Sequence, residues 1–262
     1  MKKLILSLVT MASLAFAANA VTNMCVKTAD GQVDKYDVEN VAEVYYVETT
    51  EAPSNQGVTV SGKVGLYTYV DLGLPSGTMW ATYNVGATKP DEYGDYFAWG
   101  ETKPKDDYDH LYQTYKWCKG SSSSMTKYCT TSDYGTVDNK TVLEAEDDAA
   151  TANWGSAWRM PTREEIDELI DACNWELIHT FLTGIAGRLG TTRYKGATIF
   201  LPAAGYRFGT DLDAAGYSCS YWSSSLYVYG SGSAYDLGFT VSNFGRGHES
   251  RYLGHSVRAV LR

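Results

Sequence analysis

Hydrophobic and polar positions change rhythm several times along this chain. Leu4 to Ala17 forms an apolar run behind Lys2 and Lys3, and Ala18-Asn19-Ala20 closes it with small residues. A charged start, an apolar core and a small-x-small site are the parts of an export signal. The run is shorter than the ~20 residues that span a bilayer, and no second run follows. The expectation is a signal peptide over residues 1–20, a mature chain from Val21, no membrane span, and export to the periplasm, cell surface or medium. From Met24 to Val47 the pattern turns to β: Cys25-Val26-Lys27, a turn at Asp30-Gly31, then alternation through Tyr36, Val38, Val41 and Val44 to Val47. This predicts a small N-terminal β unit over 21–48. Residues 49–57 are polar and aperiodic with one Pro, which reads as a linker.

The main domain, 58–262, is densely punctuated. Gly73, Pro75, Gly77, Gly86, Pro90, Gly94, Gly100 and Pro104 cut its first half into segments too short for long helices. One helix start is explicit at Pro161-Thr162: Thr162 can cap the helix and Glu165 can reach back to it. Ile166, Leu169, Ile170 and Cys173 then recur at helical spacing on one face. A second helix is predicted over Leu143 to Asn153, with acids in its first turns where the dipole favours them. Strands are predicted at Ala197–Pro202, Ser220–Ser224, Ala234–Thr240 and Ser256–Leu261.

Composition narrows the classes. A formal charge of −9 over 262 residues, more negative once Lys2 and Lys3 are removed, repels a phosphate backbone, and no basic stripe offsets it. Nucleic acid is therefore excluded as a partner. Five cysteines are an odd number for an exported chain, so at least one stays free or pairs between molecules. Cys118 and Cys129 flank the Gly-Ser loop from Lys119 to Tyr128 and are the candidate disulfide, a bridge contributing roughly 3 kcal/mol in the chain-entropy model. Cys173, on the apolar helical face, reads as a buried small hydrophobe.

Six segments carry a family resemblance: Val70 to Gly77 (VDLGLPSG), Tyr93 to Glu101 (YGDYFAWGE), Trp158 to Thr162 (WRMPT), Phe200 to Arg207 (FLPAAGYR), Tyr221 to Ser225 (YWSSS) and Ser256 to Arg258 (SVR). In this order they resemble the Fibrobacter succinogenes major paralogous domain family, which is related to the formylglycine-generating enzymes and to C-type lectin-like folds. The resemblance spans roughly Tyr69 to Val260. It implies an α+β, C-type lectin-like domain: a twisted antiparallel sheet, one or two helices and long loops, preceded here by the small β unit. Trp80, Trp99, Trp158, Trp222 and Arg258 are then expected as core and scaffold. Tyr83 and Ala259 depart from the Cys and Pro common in such domains, so no family disulfide pattern is carried over.

Three functional classes remain. The related enzymes use a pair of reactive cysteines late in the domain, whereas this chain has Cys219 alone there, which favours a protein that is not an enzyme. His248, Glu249 and His255 lack a third ligand at metal-site spacing. Sugar-binding lectins hold Ca²⁺ through loop and strand motifs that survive here only as Lys89-Pro90-Asp91 and as Trp222 followed by Ser, so no cofactor is expected. The clusters Asp106-Asp107-Asp109 and Glu144-Glu146-Asp147-Asp148 nevertheless offer oxygens that Ca²⁺ accepts.

Tyr, Ser and Gly crowd from Tyr217 to Tyr235 around one Trp, ahead of the polar run Ser242–Arg251. Rigid aromatics with adaptable small polar residues make efficient contact surfaces. Between framework segments, Tyr227–Ser233 and Ser242–Arg251 lack strand alternation and form the expected contact face. Its candidate ligand-binding residues are Tyr227, Tyr229, Ser231, Ser233, Asn243, Phe244, Arg246, His248 and Arg251. The tail also resembles the diversified receptors of retroelements. The expected function is a secreted or cell-surface recognition or adhesion module for glycan or surface protein. The alternatives are a formylglycine-generating-type enzyme and a structural component of a surface assembly.

Overall fold

The computed structural model describes the backbone of residues 23–27 and 33–37, and residues 57–182, 184–240 and 243–261, the Thr180 side chain excepted. The expected signal peptide, the rest of the N-terminal β unit, the linker up to residue 56 and Ser242 lie outside the described residues. The chain divides into two compact units, Met1–Ala52 and Pro53–Arg262. In the first, β1 (Asn23–Lys27) and β2 (Val33–Asp37) pair antiparallel, with Cys25 opposite Lys35, and the turn expected at Asp30-Gly31 lies outside the described residues.

The second unit is mostly antiparallel sheet with few helices. β3 (Gly62–Val64), β4 (Tyr67–Val70), β5 (Trp80–Ala81), β6 (Trp158–Arg159) and β15 (Val260–Leu261) form one sheet in the order β3-β4-β5-β15-β6. The last strand thus slots between two earlier ones, with Val260 opposite both Trp80 and Arg159. The strand predicted from Ser256 shrinks to these two residues, because Ser256 and Val257 instead supply carbonyls to Trp222 and Val85.

Helix α1 (Ala149–Trp154) follows a short 3₁₀ turn at Ala145–Asp147. The single helix expected over Leu143–Asn153 is broken because Asp148 is extended and caps α1, accepting from Thr151 N–H. Helix α2 (Arg163–Ala172) starts as the sequence dictates: Thr162 and Glu165 form the reciprocal capping box, and Ile166, Leu169 and Ala172 are buried. A cap of this kind contributes about 1 kcal/mol. Arg159 braces Glu165 at 2.5 Å, holding its carboxyl below the ordinary value although burial pushes the other way.

At Cys173 the backbone turns extended and α2 runs into β7 (Cys173–Phe181), which pairs with β8 (Ile185–Thr192) and then β9 (Thr198–Pro202). Cys173 is buried, as its apolar position required. The hairpin β10 (Tyr206–Phe208) and β11 (Asp211–Asp213) comes next, then the sheet β12 (Cys219–Leu226), β13 (Ser233–Phe239), β14 (Phe244–Ser250). α2 packs on that sheet. Strand β14 corrects the expectation of irregular contact loops over Ser242–Arg251. Gly245 and Gly247 hide its alternation in the sequence, yet all seven of its residues pair with β13, from Phe244 opposite Phe239 to Ser250 opposite Ser233.

Trp80, Trp99, Trp158, Trp222 and Arg258 are all almost fully buried, in the framework positions expected of them. Trp99 and Trp222 donate their indole N–H to Ser223 O and Phe97 O at 2.8 and 2.7 Å. The Arg258 guanidinium binds Asn84 Oδ1 at 2.9 Å, Phe200 O at 2.9 Å and Ala81 O at 3.3 Å. It ties three segments of the unit together.

Candidate binding site

The candidate face is built on β12-β13-β14. Side chains alternate across a strand, and β13 makes the two sides unlike. Tyr235, Leu237 and Phe239 point to one side, Ala234, Asp236 and Gly238 to the other. The apolar set lies on the side of α2. The small set leaves space.

On the first side the sheet margin carries an aromatic cluster. Tyr227 stacks on His248 with ring centroids 3.8 Å apart and meets Tyr235 and Tyr229 edge-on at 5.2 and 5.6 Å. Arg163, at the start of α2, donates to Tyr235 Oη at 2.8 Å and lies over its ring. Tyr229 is 82% exposed, the most solvent-facing aromatic of the group. Farther along, Arg246 reaches α2, binding Asp167 at 2.6 Å and Asp171 at 2.9 Å. Phe244 packs on Trp175 at 4.5 Å.

On the other side lies a cavity of about 640 Å³. Ser220, Asp236, Gly238, Gly245, Gly247 and Glu249 border it from the sheet, and the β10–β11 hairpin and the Tyr252–His255 segment border it opposite. Gly205 sets the hairpin in place: its φ is +66°, and a Cβ there would lie 2.1 Å from Asp213 O. Asp236 is 3% exposed, and its Oδ1 has no hydrogen-bond partner. Burial raises its carboxyl to about 7, a Ser220 hydrogen bond opposes that rise, and the Glu249 charge adds to it. Burial likewise raises Glu249. His255 stacks on Trp222 at 4.0 Å, has an unpartnered Nδ1, and is driven by burial to about 3, so its imidazole is neutral.

The structure therefore sorts the predicted residues into separate places. Tyr227, Tyr229 and His248 come together. Asn243, Arg246 and His248 border the cavity, Phe244 serves the packing beside Trp175, and Ser233 is half-buried at the start of β13. Ser231 and Arg251 are corrections, because both are completely buried. Ser231 Oγ accepts from Thr130 N–H at 3.0 Å. Arg251 donates to Tyr115 Oη, Tyr128 O, Ser231 O and Lys127 O at 2.8 to 3.1 Å and lies over the Trp99 ring. A guanidinium with five donors can saturate the loop carbonyls that converge there, so a residue read as contact surface is a core clamp.

The expected Cys118–Cys129 bridge is also corrected, since both cysteines are free. Their thiols donate to different carbonyls, Cys118 to Tyr112 O at 2.9 Å and Cys129 to Thr131 O at 3.1 Å. Backbone hydrogen bonds close the loop instead: Thr126 N–H donates to Trp117 O at 2.8 Å and Lys119 N–H to Ser124 O at 3.2 Å, and the Cys118 backbone pairs with that of Met125. Cys219 is 3% exposed, and burial pushes its thiol well above the ordinary value, with Asp236 adding to the rise.

Of the two acidic clusters, Glu144, Glu146 and Asp147 bring carboxylate oxygens together. Lys127 sits among them, 2.5 Å from Glu144, 2.6 Å from Asp147 and 3.5 Å from Glu146, while Lys116 reaches Asp147 at 3.0 Å. Those lysines hold the Asp147 carboxyl below its ordinary value against burial. An ammonium stands where Ca²⁺ would have to enter.

Sequence reasoning missed Asp236 as a site residue, and with it Asp213, Tyr206, Tyr235 and Arg163. The available signal was Ala234-x-Asp236-x-Gly238, small and polar residues on the inner parity of a strand whose other parity is Tyr, Leu and Phe. Among the described residues no helix is long and apolar enough to cross a membrane. No protein-family profile, curated protein or solved structure matches the chain.

Proposed function

We propose that this protein is an exported, non-enzymatic recognition module of C-type lectin-like fold, in the Fibrobacter succinogenes major paralogous domain family, that binds glycan or surface protein. The observation that carries this reading is the Tyr229 cluster. An 82% exposed Tyr, a half-buried Tyr and a stacked His sit side by side at the margin of a paired sheet whose opposite face borders a cavity of about 640 Å³. Aromatic anchors on a rigid support are what dominate the energy of protein contacts. Burial of Cys219 supports the non-enzymatic reading, because a thiol raised above its ordinary value is a poor nucleophile.

The test is binding of the full chain to glycan and cell-surface protein arrays, with and without chelator, beside the triple variant Tyr227→Ala, Tyr229→Ala, Arg246→Ala. Specific binding that the triple variant abolishes is the expected result. Array silence, or binding that ignores the substitutions, would reject the reading. Chelator sensitivity would bring Ca²⁺ into the site.

A further inference from the structure

The cavity on the opposite face of the sheet from the aromatic cluster has a charge pattern of its own. Asp213, Asp236 and Glu249 border it from three strands, β11, β13 and β14. Arg246 borders it too, but turns its guanidinium to the other face of the sheet, where Asp167 and Asp171 engage it. His255 is neutral. Tyr206, Phe208 and Tyr252 add aromatic wall, and aromatic faces attract cations.

Asp236 is the decisive group. It is 3% exposed, it lines the cavity, and one of its two oxygens lacks a hydrogen-bond partner. Buried polar groups in folded proteins are nearly always satisfied, and an exception asks for an explanation. The neighbouring strand accommodates that oxygen: a Cβ on Gly247 would lie 2.5 Å from Asp236 Oδ1. Gly245, on the same side of β14, has nothing within 4 Å of its would-be Cβ. An acceptor, an acidic surround and aromatic walls together suit a donor that carries positive charge. β14 is the outer strand of its sheet, and an edge strand offers unpaired backbone groups to an extended peptide. That favours a protein as the carrier of the cation over a sugar.

We propose that the cavity between β12-β13-β14 and the β10–β11 hairpin receives the ammonium or guanidinium group of a Lys or Arg side chain from a protein partner, with Asp236 as its counter-ion. This rests on the recognition reading above and names the partner's chemistry. The ligand's N–H groups satisfy Asp236 Oδ1, Tyr206 and Tyr252 flank its aliphatic stem, and Glu249 and Asp213 supply a favourable field at the mouth.

The test is titration of the full chain with acetylated, amidated Gly-Lys-Gly, Gly-Arg-Gly and Gly-norleucine-Gly and with glucosamine, followed by backbone amide NMR shifts at Gly245 and Gly247. The Lys or Arg peptide is expected to bind at least tenfold tighter than the norleucine peptide, its uncharged analogue. Asp236→Asn, which keeps shape and removes charge, is expected to lose at least tenfold for the cationic peptides and nothing for norleucine. Gly247→Ala, whose Cβ crowds Oδ1 and shifts the Asp236 carboxylate, should lose affinity as well and serves if the first variant does not fold. Norleucine binding equal to lysine, or a folded Asp236→Asn that binds lysine unchanged, would overturn the proposal. Glucosamine binding tenfold tighter than either peptide would overturn the protein partner. Silent arrays with intact lysine binding would reject the recognition face alone, and the converse would reject the cavity alone.

Discussion

Two buried charged regions of this molecule are handled in opposite ways. Arg251 and Arg258 are 0% and 1% exposed, and each guanidinium is surrounded by acceptors from distant segments. Asp236 is 3% exposed and keeps an oxygen with no partner. Burying a charge is costly unless its hydrogen bonds are made. The arginines meet that condition by gathering loop carbonyls, which is why they can act as fasteners. Asp236 does not meet it. The difference separates side chains that complete the framework from one held ready for a group the framework does not contain.

The sharpest way to break the comparison is to remove a fastener. Arg258→Ala leaves Asn84 Oδ1, Phe200 O and Ala81 O without their donor and opens a void among Trp80, Tyr221 and Leu201. We expect a loss of about 4 kcal/mol or more, read by urea denaturation. A loss below ~1 kcal/mol would mean that the guanidinium is not fastening anything.

Asp236→Asn should act with the opposite sign. The folded carboxyl titrates near 7 against a reference of 3.8. The folded state therefore holds its proton more tightly than the unfolded state. That contribution is complete below about pH 4 and is lost as pH rises through 7. Asn suffers no such loss, so the variant's advantage should grow from pH 4 to pH 8, up to about 4 kcal/mol. Thermal unfolding across that range measures it, and a pH-independent difference would refute the buried, raised carboxyl.

The smallest effect is expected at the exposed margin. Tyr229→Ala removes an 82% exposed ring and should change stability by no more than ~0.5 kcal/mol. A larger loss would show that Tyr229 belongs to the framework after all.

How much of this was readable beforehand follows from how local each determinant is. The capping box at Thr162 and Glu165 spans four residues, and the helix begins where they place it. The buried tryptophans stood out because bulky aromatics inside short apolar motifs have few places to go. Strand β14 was hidden, since glycines at 245 and 247 carry no hydropathy signal and the pairing partner is supplied by β13. The β7–β8 hairpin escaped for a related reason: Gly187 and Gly190 interrupt its pattern, and each lies against an aromatic ring of a neighbouring strand, Phe200 and Trp175. Arg251 could not be told from a surface arginine, because its burial depends on carbonyls contributed by residues 127, 128 and 231. Asp236 was visible as an acid in a strand. The cavity that gives it meaning is assembled from strands, a hairpin and a loop that no local pattern joins.

The three glycines around Asp236 carry one further consequence. None of Gly238, Gly245 and Gly247 has the left-handed backbone that would bar other residues. An added methyl would meet nothing within 4 Å at Gly245, an ordinary contact with Asp236 Oδ2 at 3.6 Å at Gly238, and a hard obstacle at 2.5 Å at Gly247. The floor of the cavity thus offers graded steps from free to blocked, while Arg251 and Arg258 are committed elsewhere. Single substitutions on β13 and β14 can therefore reshape the cavity without touching either arginine clamp.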